Sequence, residues 1–254
     1  SQMKILLSPA KLMSLETEGN WKKSSSSKFL SESEIVMDEL RNKSPKDLEK
    51  LMSISSDLAE MNMERNLNWK TKPSKKDSLQ SVLAFKGEVY RGLDAETLSE
   101  EAQDYLNENL FILSGLYGIL KPSDRVMLYR LEMGSKLDVN GSKNLYGFWK
   151  EKLTEYVNSK LKKNEILLNL ASVEYSKVLD DKVLKSPKIE VDFLDFKNGQ
   201  LKPIMVYFKQ ARGMMARYCA ENNVSTLNEV KLFNENNYSF DEKLSTETKL
   251  TFVR

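Results

Sequence analysis

Six cations stand beside glycines, a proline or aromatic residues instead of on a regular solvated face: Lys11, Lys86, Arg130, Lys209, Arg212 and Arg217. Phe85-Lys86-Gly87, Tyr129-Arg130-Leu131-Glu132 and Ala211-Arg212-Gly213 show the pattern, each read as the end of an element. Cations next to small residues and aromatics suit phosphate contacts with base stacking nearby. The alternative is pairing with carboxylates such as Glu88, Glu132 and Glu174, since buried charges need partners. Arg130 and Glu132 would share a face if their segment were a strand, which makes that pair a candidate structural contact. In a pocket, Glu132 or Glu174 could instead serve as an acid or base, with Lys11, Lys86 and Arg130 clamping a phosphate or transition state.

A second candidate is Leu51-Met-Ser-Ile-Ser-Ser-Asp-Leu-Ala59. It follows a helix-hairpin-helix pattern, in which an apolar residue lies between two small ones and a second helix begins at once. Such a hairpin presents backbone N–H groups and a helix N-terminus to a DNA phosphate. Ser53 and Ser55 replace the usual glycines, and Ser56 follows them. Serines keep N–H and hydroxyl donors but restrict positive φ. An ordinary helical hairpin with serine caps accounts for the same residues.

Other chemistries are excluded or unsupported. The 254 residues contain no histidine, which removes Ser-His-Asp and Cys-His nucleophile systems and His-ligated zinc or iron. Cys219 is the single cysteine, so no disulfide, Fe–S cluster or CxxC pair forms within one chain. It lies on an apolar stripe and reads as a small buried hydrophobe. No cofactor and no strong metal site are expected. Gly87-x-x-x-x-Gly92 has Walker spacing, but Leu93 occupies the position of the phosphate-binding lysine. Gly115-x-x-Gly118 lacks the first glycine of a dinucleotide loop and reads as a tight turn. Lys plus Arg (39) against Asp plus Glu (37) leaves +2, so positive charge must be concentrated locally to hold a nucleic acid. No apolar run approaches the ~20 residues of a membrane span, and no signal peptide is apparent. One thiol in such a chain fits a reducing compartment, so the protein reads as cytoplasmic. Met3 reads as the natural start, with Ser1-Gln2 a vestige of cloning.

The elements that must position these residues alternate along the chain. Lys4 to Leu7 reads as a buried strand ended by Ser8-Pro9, and the serine-rich segment 19–28 as a mobile loop. Ser31-x-x-Glu34 and Thr97-x-x-Glu100 are capping-box patterns, and Ser44-Pro45 offers a cap with proline in the first turn. Residues 70–78 form a basic loop. Phe111–Leu113 and Ile166–Leu170 read as strands, Trp149, Leu153, Tyr156 and Val157 as a helix stripe, and Lys249–Val253 as a last strand. Asn198-Gly199 between Ile189–Phe196 and Pro203–Phe208 signals a hairpin. Phe208, Ala211, Met215, Tyr218 and Cys219 describe a further helix. No linker or repeat divides the chain. The expectation is a single α/β domain over 1–254 with a mixed sheet, flanking helices and a helix-hairpin-helix insertion at about 31–69.

Lys4-Ile-Leu-Leu-Ser-Pro-Ala-Lys11, Leu83-Ala-Phe-Lys-Gly-Glu-Val-Tyr90, Leu113-Ser-Gly-Leu-Tyr-Gly118, Tyr129-Arg-Leu-Glu-Met133, Leu168-Asn-Leu-Ala-Ser172 and Lys209-Gln-Ala-Arg-Gly213 together resemble the YaaA family of peroxide stress proteins. The segments occur in order over nearly the whole chain. The resemblance implies a bacterial cytoplasmic protein of oxidative-stress protection, iron-related damage and recombinational DNA repair. It also implies a family-specific fold with a basic cleft and binding of double-stranded or junction DNA. Its motif residues fall on Ser8, Lys11, Lys86, Gly87, Ser114, Gly115, Arg130, Glu132, Asn169, Ser172, Lys209, Arg212 and Arg217, without assigned catalytic roles.

Three functions stay open on the residues alone. The first is a DNA-binding stress protein using Lys11, the hairpin serines, Lys86, Arg130, Lys209, Arg212 and Arg217. The second is an enzyme on nucleic acid or a nucleotide-like substrate, with Ser8, Ser114, Glu132, Asn169 and Ser172 in its pocket. The third is iron handling through carboxylates and carbonyls, a ligand set better suited to Mg²⁺ or Ca²⁺.

Overall fold

The computed structural model describes residues 3–17 and 19–254; Ser1-Gln2 lie outside the described residues. The first strand, β1 (Met3–Leu7), is buried along its whole length. Three helices follow: α1 (Leu30–Arg41), α2 (Pro45–Met52) and α3 (Ser56–Asn68). Next come a short strand β2 (Leu79–Gln80), the one-turn helix α4 (Ser81–Ala84), then α5 (Glu88–Leu93) and α6 (Glu100–Asn109). The chain continues with β3 (Leu110–Ser114), β4 (Gly118–Leu120) and β5 (Arg125–Val126), which pairs with β2 in a separate two-stranded sheet, followed by α7 (Leu145–Lys160), β6 (Ile166–Asn169) and α8 (Val173–Ser176). The remainder comprises β7 (Lys188–Lys197), β8 (Gln200–Lys202), α9 (Met205–Glu221), α10 (Leu227–Lys231), β9 (Ser239–Phe240) and β10 (Lys249–Val253).

One mixed sheet runs in the order β4-β3-β1-β6-β7-β10-β9, with β8 on β7. Its centre is parallel: β1 pairs with β3 and β6, and β7 with β6 and β10. Strands buried on both faces carry continuous apolar runs, which is why β1 and β3 show no alternation. The chain leaves β1, forms β3 on one side of it, then returns to place β6 on the other. The boundary between β1 and β6 is therefore a topological switch point, where the carboxyl ends of parallel strands diverge and leave a crevice. The amino-terminal ends of the same strands are closed by charge: Lys4 Nζ, buried, lies 3.1 Å from Glu165 Oε2 and donates to Asn109 Oδ1 at 3.2 Å.

Several expectations hold. Asn198 and Gly199 both have positive φ (53° and 78°), and Lys197 faces Gln200, the geometry of a two-residue primed turn. Ser44 caps α2 in a full capping box with Asp47. Others are corrected. Helix α1 starts at Leu30, so Ser31 lies inside it; the boundary is set by Phe29, buried against Trp149 and Tyr156. Thr97 closes a 3-10 turn, and Ser99 caps α6, its Oγ accepting the Ala102 N–H. Pro203–Phe208 is not a strand. Pro203 cannot donate to a ladder, so the strand stops at Lys202 and the helical pattern begins at Met205. The 19–28 segment is tied down: Ser25 bonds the Ser123 carbonyl and Arg125 N–H, and Gln103 accepts the Lys22 N–H.

Candidate functional site

The carboxyl ends of β1, β3 and β6 each finish in a polar residue. Ser8 follows β1, Ser114 ends β3, and Asn169 ends β6, with Ser172 just beyond. Ser8 Oγ accepts the Ser172 N–H at 2.8 Å and lies 3.3 Å from Ser172 Oγ, so these hydroxyls bridge the switch-point crevice. Tyr90 donates to the Ser8 carbonyl at 2.7 Å. Asn169 Oδ1 accepts the Ala171 N–H while its amide donates to both Glu190 oxygens, at 3.1 and 2.7 Å. Ser114 Oγ meets the Tyr129 hydroxyl at 2.6 Å and accepts the Tyr117 N–H.

Glycines allow the covering loops to approach. A Cβ on Gly115 would lie 2.8 Å from the Leu131 carbonyl oxygen, so the extended 130–133 segment crosses directly over the end of β3. Gly87 (φ 102°) turns the chain next to Ala10, where the Lys86 N–H bonds the Leu12 carbonyl. Lys11 and Glu132 meet across this gap, Nζ to Oε1 at 3.1 Å. The Arg130–Glu132 pair expected from strand spacing does not form, because the segment is not a strand and Glu132 turns to Lys11. Glu174 accepts the Gly134 N–H at 2.9 Å and pins the far end of the same loop. Lys86 Nζ reaches Thr17 Oγ1 and lies 3.8 Å from Glu96.

Beneath the loop is a set of buried phenols that the sequence reading left unassigned. Desolvation pushes Tyr90, Tyr129 and Tyr175 well above the usual phenol range, and Tyr117 to about 12. Each therefore stays protonated; Tyr90 donates to the Ser8 carbonyl, whereas the Tyr117 oxygen accepts from the Met127 N–H. The Tyr117 and Tyr129 rings meet edge to face, 5.5 Å apart, and Trp69 Nε1 donates to Tyr117 Oη at 2.9 Å.

The cations do not all converge. Lys209, Arg212 and Arg217 lie within α9, not at an element end: Gly213 marks a helix crossing with α5 instead of a turn. Arg217 donates to the Leu93 and Asp94 carbonyls, closing the C-terminus of α5. Arg212 stacks on Phe208, and burial holds its pKa below the usual guanidinium value against the opposing pull of Asp192 and Glu190.

Arg130 is different. Its Nε is buried with no acceptor, and among the described residues no carboxylate pairs with it. Its neighbour in charge is Arg65 of α3, whose pKa is lowered first by desolvation and then by the positive charge of Arg130. Arg65 donates only a long bond to Asn62 Oδ1, at 3.4 Å. Arg65 sits at an ordinary helical position, and nothing in its local sequence distinguishes it. On the same helix pair, Ser53 adopts the left-handed conformation (φ 52°) that a glycine would take, and Ser55 Oγ caps α3 on the Leu58 N–H. Ser53, Ser55 and Ser56 are all exposed. Among the described residues there is no cluster of three or more His, Cys, Asp or Glu able to hold a metal, and no helix is long and apolar enough to cross a membrane.

The family described as peroxide stress protein YaaA matches residues 3–244. A UPF0246 protein of Flavobacterium johnsoniae is 46% identical over 252 residues, spanning 99% of this chain and 100% of its own. A UPF0246 protein of Flavobacterium psychrophilum is 44% identical over 252 residues, with the same coverage. One from Aliivibrio fischeri strain MJ11 is 42% identical over 254 residues, spanning 99% of this chain and 98% of its own. With the fold carrying all six ordered segments, the chain belongs to the YaaA family of peroxide stress proteins.

Proposed function

We propose that the protein serves the peroxide stress response in the cytoplasm by binding duplex or junction DNA, limiting iron- and peroxide-driven damage. The observation that carries this reading is the Arg65–Arg130 pair: two guanidinium groups within electrostatic reach of each other, neither neutralised by a carboxylate. Like charges held together cost free energy unless an anion joins them, and a phosphate accepts several guanidinium N–H bonds. The exposed Ser53–Ser56 hairpin lies at the other end of α3 and offers free N–H groups at a helix N-terminus. Lys11, Lys86, Lys209 and Arg212 extend the positive surface in this reading, while Arg217 is spent on α5.

Fluorescence anisotropy with unrelated duplexes at several salt concentrations tests it. Affinity falls steeply with salt, with a log–log slope of roughly −0.9 per phosphate contacted, and varies little with sequence. Arg65→Ala and Arg130→Ala each reduce that slope. Absence of binding at low salt overturns the reading.

A second reading, an enzyme on a nucleotide-like substrate, is favoured by Ser8 and Ser172 at the switch point and by the Lys11–Glu132 contact at its mouth. A carboxylate among cations has little use on a surface that only binds phosphate, but it can orient a nucleophile. Turnover of nucleotides or DNA that is lost in Glu132→Gln, with duplex affinity retained, would select this reading.

A further inference from the structure

Phe196, Met205, Val206 and Tyr207 all expose apolar side chains close together in the chain, Phe196 by 67% and Met205 by 61%. Among the described residues, Phe196 and Tyr207 are the aromatic members of the exposed large hydrophobics. Phe196 opposes Leu201 across the β7–β8 hairpin, and its ring meets no other ring or cation among the described residues. Arg254 ties this hairpin to the start of α9. Its carbonyl accepts the Phe196 N–H, and its guanidinium lies 4.7 Å from the centre of the Tyr207 ring.

The charge beside these rings has one sign. No Asp or Glu occurs between Asp195 and Glu221, a stretch that holds Lys197, Lys202 and Lys209. Among the described residues none of these three lysines has a carboxylate partner. The bordering carboxylates are already engaged. Asp195 is buried and held by Tyr238 and Arg254, Glu221 pairs with Arg217, and Asp192 lies 2.9 Å from Lys249.

From this arrangement we infer that the β7–β8 hairpin and the first turn of α9 form a platform for single-stranded nucleic acid, bases on the exposed rings and phosphates on the lysines. The platform goes beyond the duplex reading and uses neither Arg65 nor Arg130.

An aromatic ring receives the face of a base only when that base is unstacked, and such stacking is indifferent to sequence. Bases inside a duplex stack on one another, so an open ring such as Phe196 finds its partner in an unpaired strand. Lys197 and Lys202 point away from Phe196 by strand alternation. Their flexible stems still reach around the edges of so narrow a ribbon. The hairpin tip, Lys197-Asn-Gly-Gln200, is polar throughout, which opposes insertion into a lipid surface.

The test uses the full chain, a duplex, and a labelled oligothymidylate of about 20 nucleotides, longer than the ~4–16 that single-strand sites cover. Anisotropy should show oligothymidylate binding that weakens about fivefold or more in Phe196→Ala, the lower end of what one stacked base contributes. Duplex affinity should be unchanged in that variant. Lys202→Gln should lower the log–log salt slope for the oligothymidylate by about 0.7, one phosphate contact on a single strand. Phe196→Trp should retain binding. Because Trp21, Trp69 and Trp149 are buried, its indole reports separately, and the oligothymidylate should quench it. Duplex binding without any effect of Phe196→Ala on the oligothymidylate overturns the inference and leaves the duplex reading standing. Phe196-dependent oligothymidylate binding without duplex binding keeps the platform and overturns the duplex reading. Blue-shifted indole emission on phosphatidylglycerol vesicles, with no quenching by the oligothymidylate, makes the surface a membrane contact and overturns the inference. Binding of neither nucleic acid overturns both readings.

Discussion

Gly92 on α5 and Gly213 on α9 each admit the backbone of the opposite helix where the two cross, Gly92 meeting Gln210 and Gly213 meeting Val89. A Cβ on Gly213 would sit 1.8 Å from the Val89 carbonyl oxygen, and one on Gly92 would sit 2.0 Å from that of Gln210. Neither neighbour can yield, because both belong to helix backbone. The Walker-like spacing of Gly87 and Gly92 thus combines a left-handed turn with a close helix crossing.

Gly213→Ala should force the helices apart and cost about 3 kcal/mol or more, at the top of the range for overpacking. Thermal unfolding checks this, and a loss below about 1 kcal/mol contradicts the crossing as described. Gly141, with nothing within 4 Å of its would-be Cβ, is a poor comparison only because its φ is positive.

Lys11 and Glu132 are both partly exposed, so their pairing is worth little to the fold. Glu132→Gln should change stability by less than about 1 kcal/mol. It should also release Lys11 and strengthen duplex binding two- to threefold at low salt. Chemical denaturation and anisotropy on the same variant measure both. A large loss of stability would give Glu132 a structural role that its contacts do not indicate.

Ser53 pays for a left-handed backbone that glycine adopts freely. Ser53→Gly should raise stability by up to about 1 kcal/mol, since native strain relief exceeds the added freedom of the unfolded chain. The measurement is the denaturation midpoint. Unchanged or lower stability would mean that the Ser53 side chain contributes more than its exposure suggests.

Cys219 is fully buried, and burial pushes its thiol well above the usual value of 9.0. Native protein should resist thiol reagents and hydrogen peroxide at pH 8, and react once unfolded. The sign of the pH effect follows from the same shift. In the unfolded chain Cys219 loses its proton near pH 9, and Tyr90, Tyr117, Tyr129 and Tyr175 lose theirs near 10, while the native state retains them. Stability should therefore be intact below pH 8 and decline as pH rises from about 9. Rapid peroxide oxidation of native Cys219 would contradict this burial.

The legible parts of the fold were those whose signal is local. Apolar runs marked β1, β3 and β6, and Asn198-Gly199 marked its turn, because burial and positive φ act on adjacent residues. The caps misread at Ser31 and Thr97 were shifted by Phe29 packing on Trp149 and by a 3-10 turn at Ala95, which are tertiary and competing local effects. Ser8, Ser114, Asn169 and Ser172 of the strand-end polar cluster were marked only by the family resemblance, not by any pattern that joins them into a cluster. Its partners Tyr90, Tyr175 and Glu190 were not legible, being ordinary residues brought in by the fold. Arg65 beside Arg130 was the least legible, since two segments far apart in sequence create it.

The central position of β1 also sets the order in which the protein can assemble. Ile5 pairs with Leu110 and Met3 with Ile166, so both sides of this apolar strand are covered only by residues made much later. At ~5–20 residues per second of synthesis, β1 waits roughly 8–30 s for β6 to appear. Such non-local parallel pairing also folds slowly once complete. Met3, Ile5, Leu6 and Leu7 stay without their native cover during that interval, and polar replacements there should lower the yield of folded protein because the strand can no longer be buried at the centre of the sheet.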